Sequence, residues 1–398
     1  MKYAVITFGC RVNQADSLAI EAELASAGGE ATSSEHAEIV VVNTCSVTAS
    51  ADQGARQTIR RIARTNPNAK IVATGCYATR CADDVASLPG VVAVIPNDRK
   101  LTFGTPGTLG VLPDGPCGRP LAPGLMGRTA WTLRVQTGCE EKCSYCIIPT
   151  TRGASRSRRF EDIQAEVARV VAAGYKEIAV TGVHLGSYGR DLTPPSSLGA
   201  LLETLCSERA EHDVLWRISS LEPMDFPFAM LDLPRIAPHF HLPLQHASDR
   251  ILSLMRRPYT LASYRALVDT IRDRLPHAAV GSDIIAGFPG ETDDDFAQLV
   301  GYLEASPLTH IHVFPYSDRP GTVASSLPDK VHGSVIKARA QRLREISRAL
   351  AESFRAAQHG SVRLALTIED GSVAITDNYF RVPAPAGHAR NEWVEVSL

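Results

Sequence analysis

No stretch of the sequence reaches the about 18 consecutive apolar residues that a membrane-spanning helix needs, so no membrane partner is expected. The opening residues, MKYAVITFGC, have too short an apolar run and no small-residue cleavage pattern. They read as a first strand rather than an export signal. The chain is therefore expected to stay in the cytoplasm, where thiols are kept reduced. Net charge is almost absent: 41 Lys and Arg against 43 Asp and Glu leave −2. Bulk charge points to no nucleic-acid partner, and any such partner must be met by local patches. Internal repeats and low-complexity tracts are also missing. What remains is an ordinary globular composition, 44% hydrophobic and 21% charged. At 398 residues the chain has room for two or three domains. Nine cysteines without an export signal argue against a disulfide framework and leave thiols for a metal, a cluster or catalysis.

Along residues 1–96, short β-branched runs (Tyr3–Phe8, Glu38–Asn43, Lys70–Thr74, Val91–Ile95) alternate with stretches of helical spacing such as Gln14–Ala27 and Asp52–Thr65. Nearly continuous apolar strands between helices predict a parallel sheet covered on both faces, an open flavodoxin-like α/β domain. Residues 97–129, dense in Gly and Pro, predict a linker. The alternation resumes across 130–358, with strands expected at Thr132–Gln136, Glu177–Thr181, Leu215–Ser219, Phe240–Leu244, Val280–Ala286 and His310–Phe314. Helices are expected at Phe160–Ala173, Leu261–Arg274 and Asp293–Ala305. Six β/α units in succession predict a complete or partial β/α barrel. A basic amphipathic helix over Lys337–Ala357 follows, and residues 359–398 predict a small all-β domain.

Two cysteine constellations carry the chemistry. Cys139, Cys143 and Cys146 are spaced C-x3-C-x2-C just after the first barrel strand. Soft thiolates suit iron–sulfur clusters or zinc. Three close cysteines without a fourth can hold a cube by three corners and leave one iron open. A zinc site completed by a distant ligand is the other reading, although zinc sites usually show a second cysteine pair. Cys10, Cys45 and Cys76, in FGC, NTC and TGC, each follow one of the first three predicted strands. The carboxyl ends of parallel strands form one rim, where ligands bind. Three cysteines there predict a second cluster, against the alternative of small buried hydrophobes. Cys81, Cys117 and Cys206 lack such placement and are expected to be structural.

The C-x3-C-x2-C run, with Tyr145 before its last cysteine, resembles the radical S-adenosylmethionine superfamily signature. The resemblance implies that the open iron binds S-adenosylmethionine and that one electron then splits its sulfonium. The whole chain resembles the methylthiotransferase family within that superfamily. FGCRVNQADS, VVVNTCSVTASAD and VATGCYA resemble its N-terminal domain. Residues 130–358 resemble its radical barrel, and 359–398 resemble a shortened TRAM domain, an RNA-binding β-domain. Such enzymes insert sulfur and then methyl into a C–H bond, using two S-adenosylmethionine molecules and two [4Fe–4S] clusters. The Cys10/Cys45/Cys76 cluster is the implied place of sulfur insertion. Cys10-Arg11-Val12-Asn13-Gln14, VTGVHLGSYGRDL and RISSLEP resemble the branch that modifies carbon 2 of N6-threonylcarbamoyladenosine 37 beside the tRNA anticodon.

The implied partners are a tRNA anticodon stem-loop and an electron-donor protein, with the enzyme expected as a monomer. Gly182 and Gly186 in TGVHLGSYG, with Tyr145, are candidate cofactor contacts; His184 in the same loop reads as structural. Ser282 and Asp283 in GSDIIAGFPGET are candidate contacts to the adenosine, and Glu291 is expected to cap the next helix. HLPLQH continues His246-Ala247-Ser248 where the family has Ser-Gly-Ser. Arg152, Arg156, Arg158 and Arg159 form a basic patch beside the radical loop and are candidate RNA contacts. Arg56, Arg60, Arg61 and Arg64 form a second, and Lys337, Arg339, Arg342 and Arg344 a third. Tyr379 is a candidate for stacking on an unpaired base. An arginine is expected to hold the threonyl carboxylate. The alternatives are methylthiolation of another tRNA adenosine or of a ribosomal protein, a radical enzyme whose N-terminal cluster only relays electrons, and a zinc-dependent RNA-binding protein without catalysis.

Overall fold

The computed structural model describes residues 1–100, 122–124, 127–208 and 213–398. Most of the expected linker, and Cys117 with it, lies outside the described residues. The described residues form two compact units: one of residues 1–100, 137–141 and 147–155, the other of 122–124, 127–136, 142–146, 156–208 and 213–398.

The first unit is a five-stranded parallel sheet. Its strands are β1 (Lys2–Thr7), β2 (Glu30–Ala31), β3 (Ile39–Thr44), β4 (Lys70–Gly75) and β5 (Val91–Ile95), in the order β2-β1-β3-β4-β5. This is the flavodoxin-like order. β3, IVVVNT, is buried at every position, as a strand covered on both faces must be. Val40 and Val42 pack with Ala55, Ile59 and Ile62 of helix α2 (Ala49–Thr65); Ile39 and Val41 pack with Ile20 and Leu24 of helix α1 (Arg11–Ser26). Thr48 caps α2 by accepting the Ala51 N–H. Truncating the fully buried Ile59 to alanine is expected to cost about 2–5 kcal/mol, read as a lowered denaturation midpoint.

In the second unit, β6 (Trp131–Arg134), β7 (Glu177–Thr181) and β8 (Leu215–Ile218) form one parallel sheet. A second holds β9 (His239–His241), β10 (Ala279–Ala286) and β11 (His310–Pro315). A parallel bridge from Trp216 to Ile236 links the two, giving a six-stranded partial barrel. Helices Phe160–Ala172, Leu261–Arg274 and Asp293–Ala305 cover it. The last begins with a capping box between Thr292 and Asp295. The expected cap, Glu291, instead accepts the N–H groups of Gly287 and Phe288 and pairs with Arg339 at 2.7 Å. β12 (Val362–Ile368), β13 (Val373–Thr376), β14 (Arg381–Pro383) and β15 (Trp393–Ser397) complete the unit as an antiparallel sheet ordered β14-β13-β12-β15. Arg217 of β8, fully buried, pairs with Glu177 at 2.9 Å and donates to the Asp377 carbonyl at 3.0 Å, fastening this sheet to the barrel.

Candidate active site

In the first unit, the loops after β1, β3 and β4 bring Cys10, Cys45 and Cys76 together at the carboxyl rim of the sheet. Asn13 fixes two of these loops by donating to the carbonyls of Phe8 and Thr44 at 2.9 and 2.8 Å. Asn43 answers by donating to the Asn13 carbonyl at 2.8 Å. The Thr44 hydroxyl donates to the Thr74 carbonyl at 2.6 Å and ties in the third loop. Cys45 and Cys76 are buried and Cys10 is exposed. Burial, with Cys10 and Cys76 adding to it, pushes the Cys45 thiol up to about 11. Its sulfur accepts the Val47 N–H at 3.4 Å.

Gly9 has a positive φ of 86°, and a Cβ there would stand 2.2 Å from the Cys45 sulfur. Gly9→Ala must therefore displace Cys45. The expected result is a lower iron content per chain after reconstitution, read by metal analysis.

The loop carrying the other three cysteines is held differently. The Cys139 N–H donates to the Gly153 carbonyl at 3.0 Å within the first unit. In the second unit, Ser144 lies between Cys143 and Cys146. Its N–H and hydroxyl donate to the carbonyls of Met255 and Leu254 at 3.0 and 2.8 Å, and its carbonyl accepts the Ala324 N–H at 2.7 Å. The neighbouring Tyr145 packs among Ile251, Met255, Ile285 and Phe288, and its burial holds the phenol well above its usual range. The Cys143 sulfur accepts a hydrogen bond from Arg257 at 3.1 Å. Arg257 also pairs with Glu222 and donates to the Tyr259 hydroxyl at 2.9 Å.

The barrel glycines serve a protein pair. A Cβ at Gly186 would stand 2.2 Å from the Cβ of Asp225, and one at Gly182 would stand 3.0 Å from Gln136 Oε1. His184, between them in the same loop, is buried, and its Nε2 lies 2.7 Å from Asp225 Oδ2. Burial pushes the Asp225 carboxyl up, but His184 and Arg190 outweigh it and leave it below its ordinary value. Ser282 is fully buried and its hydroxyl accepts the Leu244 N–H at 2.9 Å. It supports the turn before Gln245.

Asp283 lies on the opposite face of β10, since side chains alternate along a strand. It accepts from His241 at 2.9 Å and His312 at 3.3 Å. Burial raises its pKa, but the two imidazoles outweigh that and hold it well below the usual carboxylate range. Burial and the same two imidazoles push His310 down to about 4.

Residues 2–96 match the family described as Uncharacterized protein family UPF0004, and residues 133–303 match the Radical SAM superfamily. Over 94% of its length the chain is 34% identical to the Threonylcarbamoyladenosine tRNA methylthiotransferase MtaB of Bacillus subtilis (strain 168), covering 88% of that protein. Against the protein of the same name from Aquifex aeolicus (strain VF5) identity is 35%, with 96% of each chain covered. The chain belongs to the radical S-adenosylmethionine methylthiotransferase family. Relatives at 32% identity include two named for other substrates, a tRNA-2-methylthio-N(6)-dimethylallyladenosine synthase and a ribosomal protein uS12 methylthiotransferase. The backbone is similar to that of the radical S-adenosylmethionine methyltransferase TsrM from Kitasatospora setae. The TM-score is 0.58 at 15% identity over 81% of this chain and 76% of that one, a likeness of fold.

The methylthiotransferase works with S-adenosylmethionine and [4Fe–4S] clusters. Its thiols fit them. A buried thiol such as Cys45 stays protonated unless a metal takes the proton's place, and Cys143 stands beside a guanidinium.

The arginines are more divided than their spacing implies. Arg152, expected to meet RNA, is 5% exposed and pairs with fully buried Asp16. Arg158 is tied to Glu166 at 2.6 Å and to the Arg134 carbonyl, and Arg159 to Glu161 at 3.2 Å. Arg156 and Arg159 are exposed, as are Arg60, Arg61 and Arg64 of α2. Arg339 is buried against Glu291 and Asp293 and leaves the third patch. Tyr379 stacks on His239 at 4.3 Å with the Arg217 guanidinium 4.8 Å from its ring. That ring is part of the joint between sheet and barrel in the methylthiotransferase, and it stays 46% exposed. Sequence reasoning missed Asn13, Asp16, Asn97 and Lys100 beside one cysteine set, and Glu222 and Arg257 beside the other. Asn13, Asp16 and Glu222 stood inside motifs already singled out.

Proposed function

We propose that the enzyme methylthiolates carbon 2 of N6-threonylcarbamoyladenosine at position 37 of tRNA, using two S-adenosylmethionine molecules and two [4Fe–4S] clusters. Cys139, Cys143 and Cys146 would hold the cluster that takes S-adenosylmethionine, and Cys10, Cys45 and Cys76 the auxiliary cluster that carries sulfur. The observation that supports this reading is the gathering of the second cysteine set at one sheet rim, since a simple radical enzyme needs only the first. When bound, the radical cluster and S-adenosylmethionine supply one-electron chemistry at an unactivated C–H position.

The chain's own residues do the rest. Arg257 and Glu222 fix the Cys143 side of the loop, the His184–Asp225 pair stiffens the turn after β7, and Asp283 with His241 and His312 offers a polar wall for the adenosine. Arg156, Arg159 and α2's Arg60, Arg61 and Arg64 are the proposed phosphate contacts. Residues 1–96, 130–358 and 359–398 are taken as its functional domains, and an electron-donor protein as its second partner.

The test is direct. Anaerobically purified, reconstituted enzyme is incubated with S-adenosylmethionine, a reductant and tRNA bearing threonylcarbamoyladenosine, and the nucleosides are resolved by mass. Dimethylallyladenosine tRNA and ribosomal protein uS12 run alongside. A methylthio product from the first substrate alone supports the reading; a product from either of the others in its place moves the enzyme to that branch.

A further inference from the structure

Beside the auxiliary cysteines the first unit buries a group of charges that ligand binding alone does not require. Arg152 and Lys100 both pair with Asp16, at 3.1 and 2.8 Å, and all three side chains are at most 2% exposed. Arg152 also donates to Asn13 Oδ1 at 2.5 Å and to the Thr137 hydroxyl at 3.2 Å. Asn97 spans the group. It accepts from Lys100 at 3.3 Å, donates to the Thr151 carbonyl at 2.8 Å, and places its amide 3.7 Å from the Cys76 sulfur. The Arg152 guanidinium lies within electrostatic reach of Cys76 and Cys10. Burying charge is costly, yet here two cations share one carboxylate in the wall of a sulfur-ligand pocket. A guanidinium cannot be deprotonated in a protein, so its charge is permanent.

We propose that Arg152, held in place by Asp16, is a fixed positive charge that raises the reduction potential of the auxiliary cluster. The inference rests on reading Cys10, Cys45 and Cys76 as that cluster's ligands. A cation near a cluster stabilises the state carrying the extra electron, and potentials of such clusters follow local charge and hydrogen bonds to sulfur. Asp16 has the opposite sign, so Arg152 and Asp16 must act in opposite directions. A residue that merely fastened the segment 147–155 to α1 would move neither.

The experiment uses the full chain with Cys139→Ala/Cys143→Ala/Cys146→Ala, so that only the auxiliary cluster reports. Its midpoint potential is measured by redox titration with electron paramagnetic resonance. Arg152→Gln is expected to lower the reduced-to-oxidised ratio at a given potential at least tenfold, which is about 59 mV for one electron. Arg152→Lys is expected to keep most of the parent potential, and Asp16→Asn to raise it. If Arg152→Gln fails to assemble its cluster, a raised potential in Asp16→Asn still supports the proposal, and an unmoved one overturns it. Intact clusters with unchanged potentials in both Arg152→Gln and Asp16→Asn also overturn it. A parent that binds no auxiliary iron after reconstitution defeats the function reading instead, and this inference with it.

Discussion

Cys45→Ala is expected to leave S-adenosylmethionine cleavage running while methylthio product falls by at least about 100-fold, whereas Cys143→Ala stops both. Loss of a residue that only supports a metal ligand commonly costs about 10–100-fold, and a ligand itself should cost more. The two sets are separable because they stand on different elements. Cys45 ends β3 and its loop is fastened through Asn13 and Thr44. Cys143 is fastened through Ser144 and Arg257. Cys45→Ala leaves the fastenings of Ser144 and Arg257 in place, so the radical cluster should keep its iron. Cleavage products and methylthio nucleoside are counted in the same reaction, with iron analysis beside them. Methylthio product from Cys45→Ala at the parent rate would end the sulfur-carrying role of the N-terminal set. Cleavage lost in both variants would mean that the two sets work as one.

The fold was legible where burial wrote a long apolar run. β3, β7 and β10 were readable because their residues are buried throughout or nearly so, and the helices Leu261–Arg274 and Asp293–Ala305 stand where their spacing put them. β2 was not readable. It is two residues long and exposed, held by register to Lys2 and Tyr3, so no apolar pattern marks it. The gathering of Cys10, Cys45 and Cys76 was legible because each follows one of three neighbouring parallel strands, whose carboxyl ends form one rim. The charges around them were not. Arg152 lies in a run of arginines, and spacing in a sequence cannot tell a solvated guanidinium from one drawn inside by a distant Asp16. Asp16 itself sits on α1, 136 positions away, and Lys100 falls where glycine and proline had announced a linker. The packing of Tyr379 was hidden for the same reason: its partners, His239 and Arg217, belong to strands of the barrel. Long-range ion pairs and stacked rings leave no periodicity behind.

The same blindness covered Arg257, where the second large effect is expected. Its side chain is 1% exposed and faces Glu222, while its remaining donors reach Cys143 and the Tyr259 hydroxyl. Burial pulls the guanidinium's pKa down, but Tyr145, Glu222, Tyr259 and Cys143 outweigh that and hold it above its ordinary value. Arg257→Ala leaves Glu222 facing an emptied pocket and Cys143 without its charged donor. Breaking a buried pair from one side costs about 3–5 kcal/mol, mostly because the other charge is left unpaired. The double variant Arg257→Ala/Glu222→Ala removes that orphan and should recover part of the loss, a coupling of about 0.5–3 kcal/mol in a double-mutant cycle. Arg257→Lys keeps a charge but not the planar fork, so it should fall between parent and alanine variant. Denaturant midpoints of the cluster-free chains give the stability term; S-adenosylmethionine affinity of the reconstituted enzymes gives the functional one. Additive losses in the cycle would mean that Arg257 and Glu222 act independently. Coupled losses with unchanged cofactor affinity would make the pair a brace for the barrel mouth alone. Coupled losses with weakened affinity would place it between the fold and the chemistry, shaping the loop that presents Cys143.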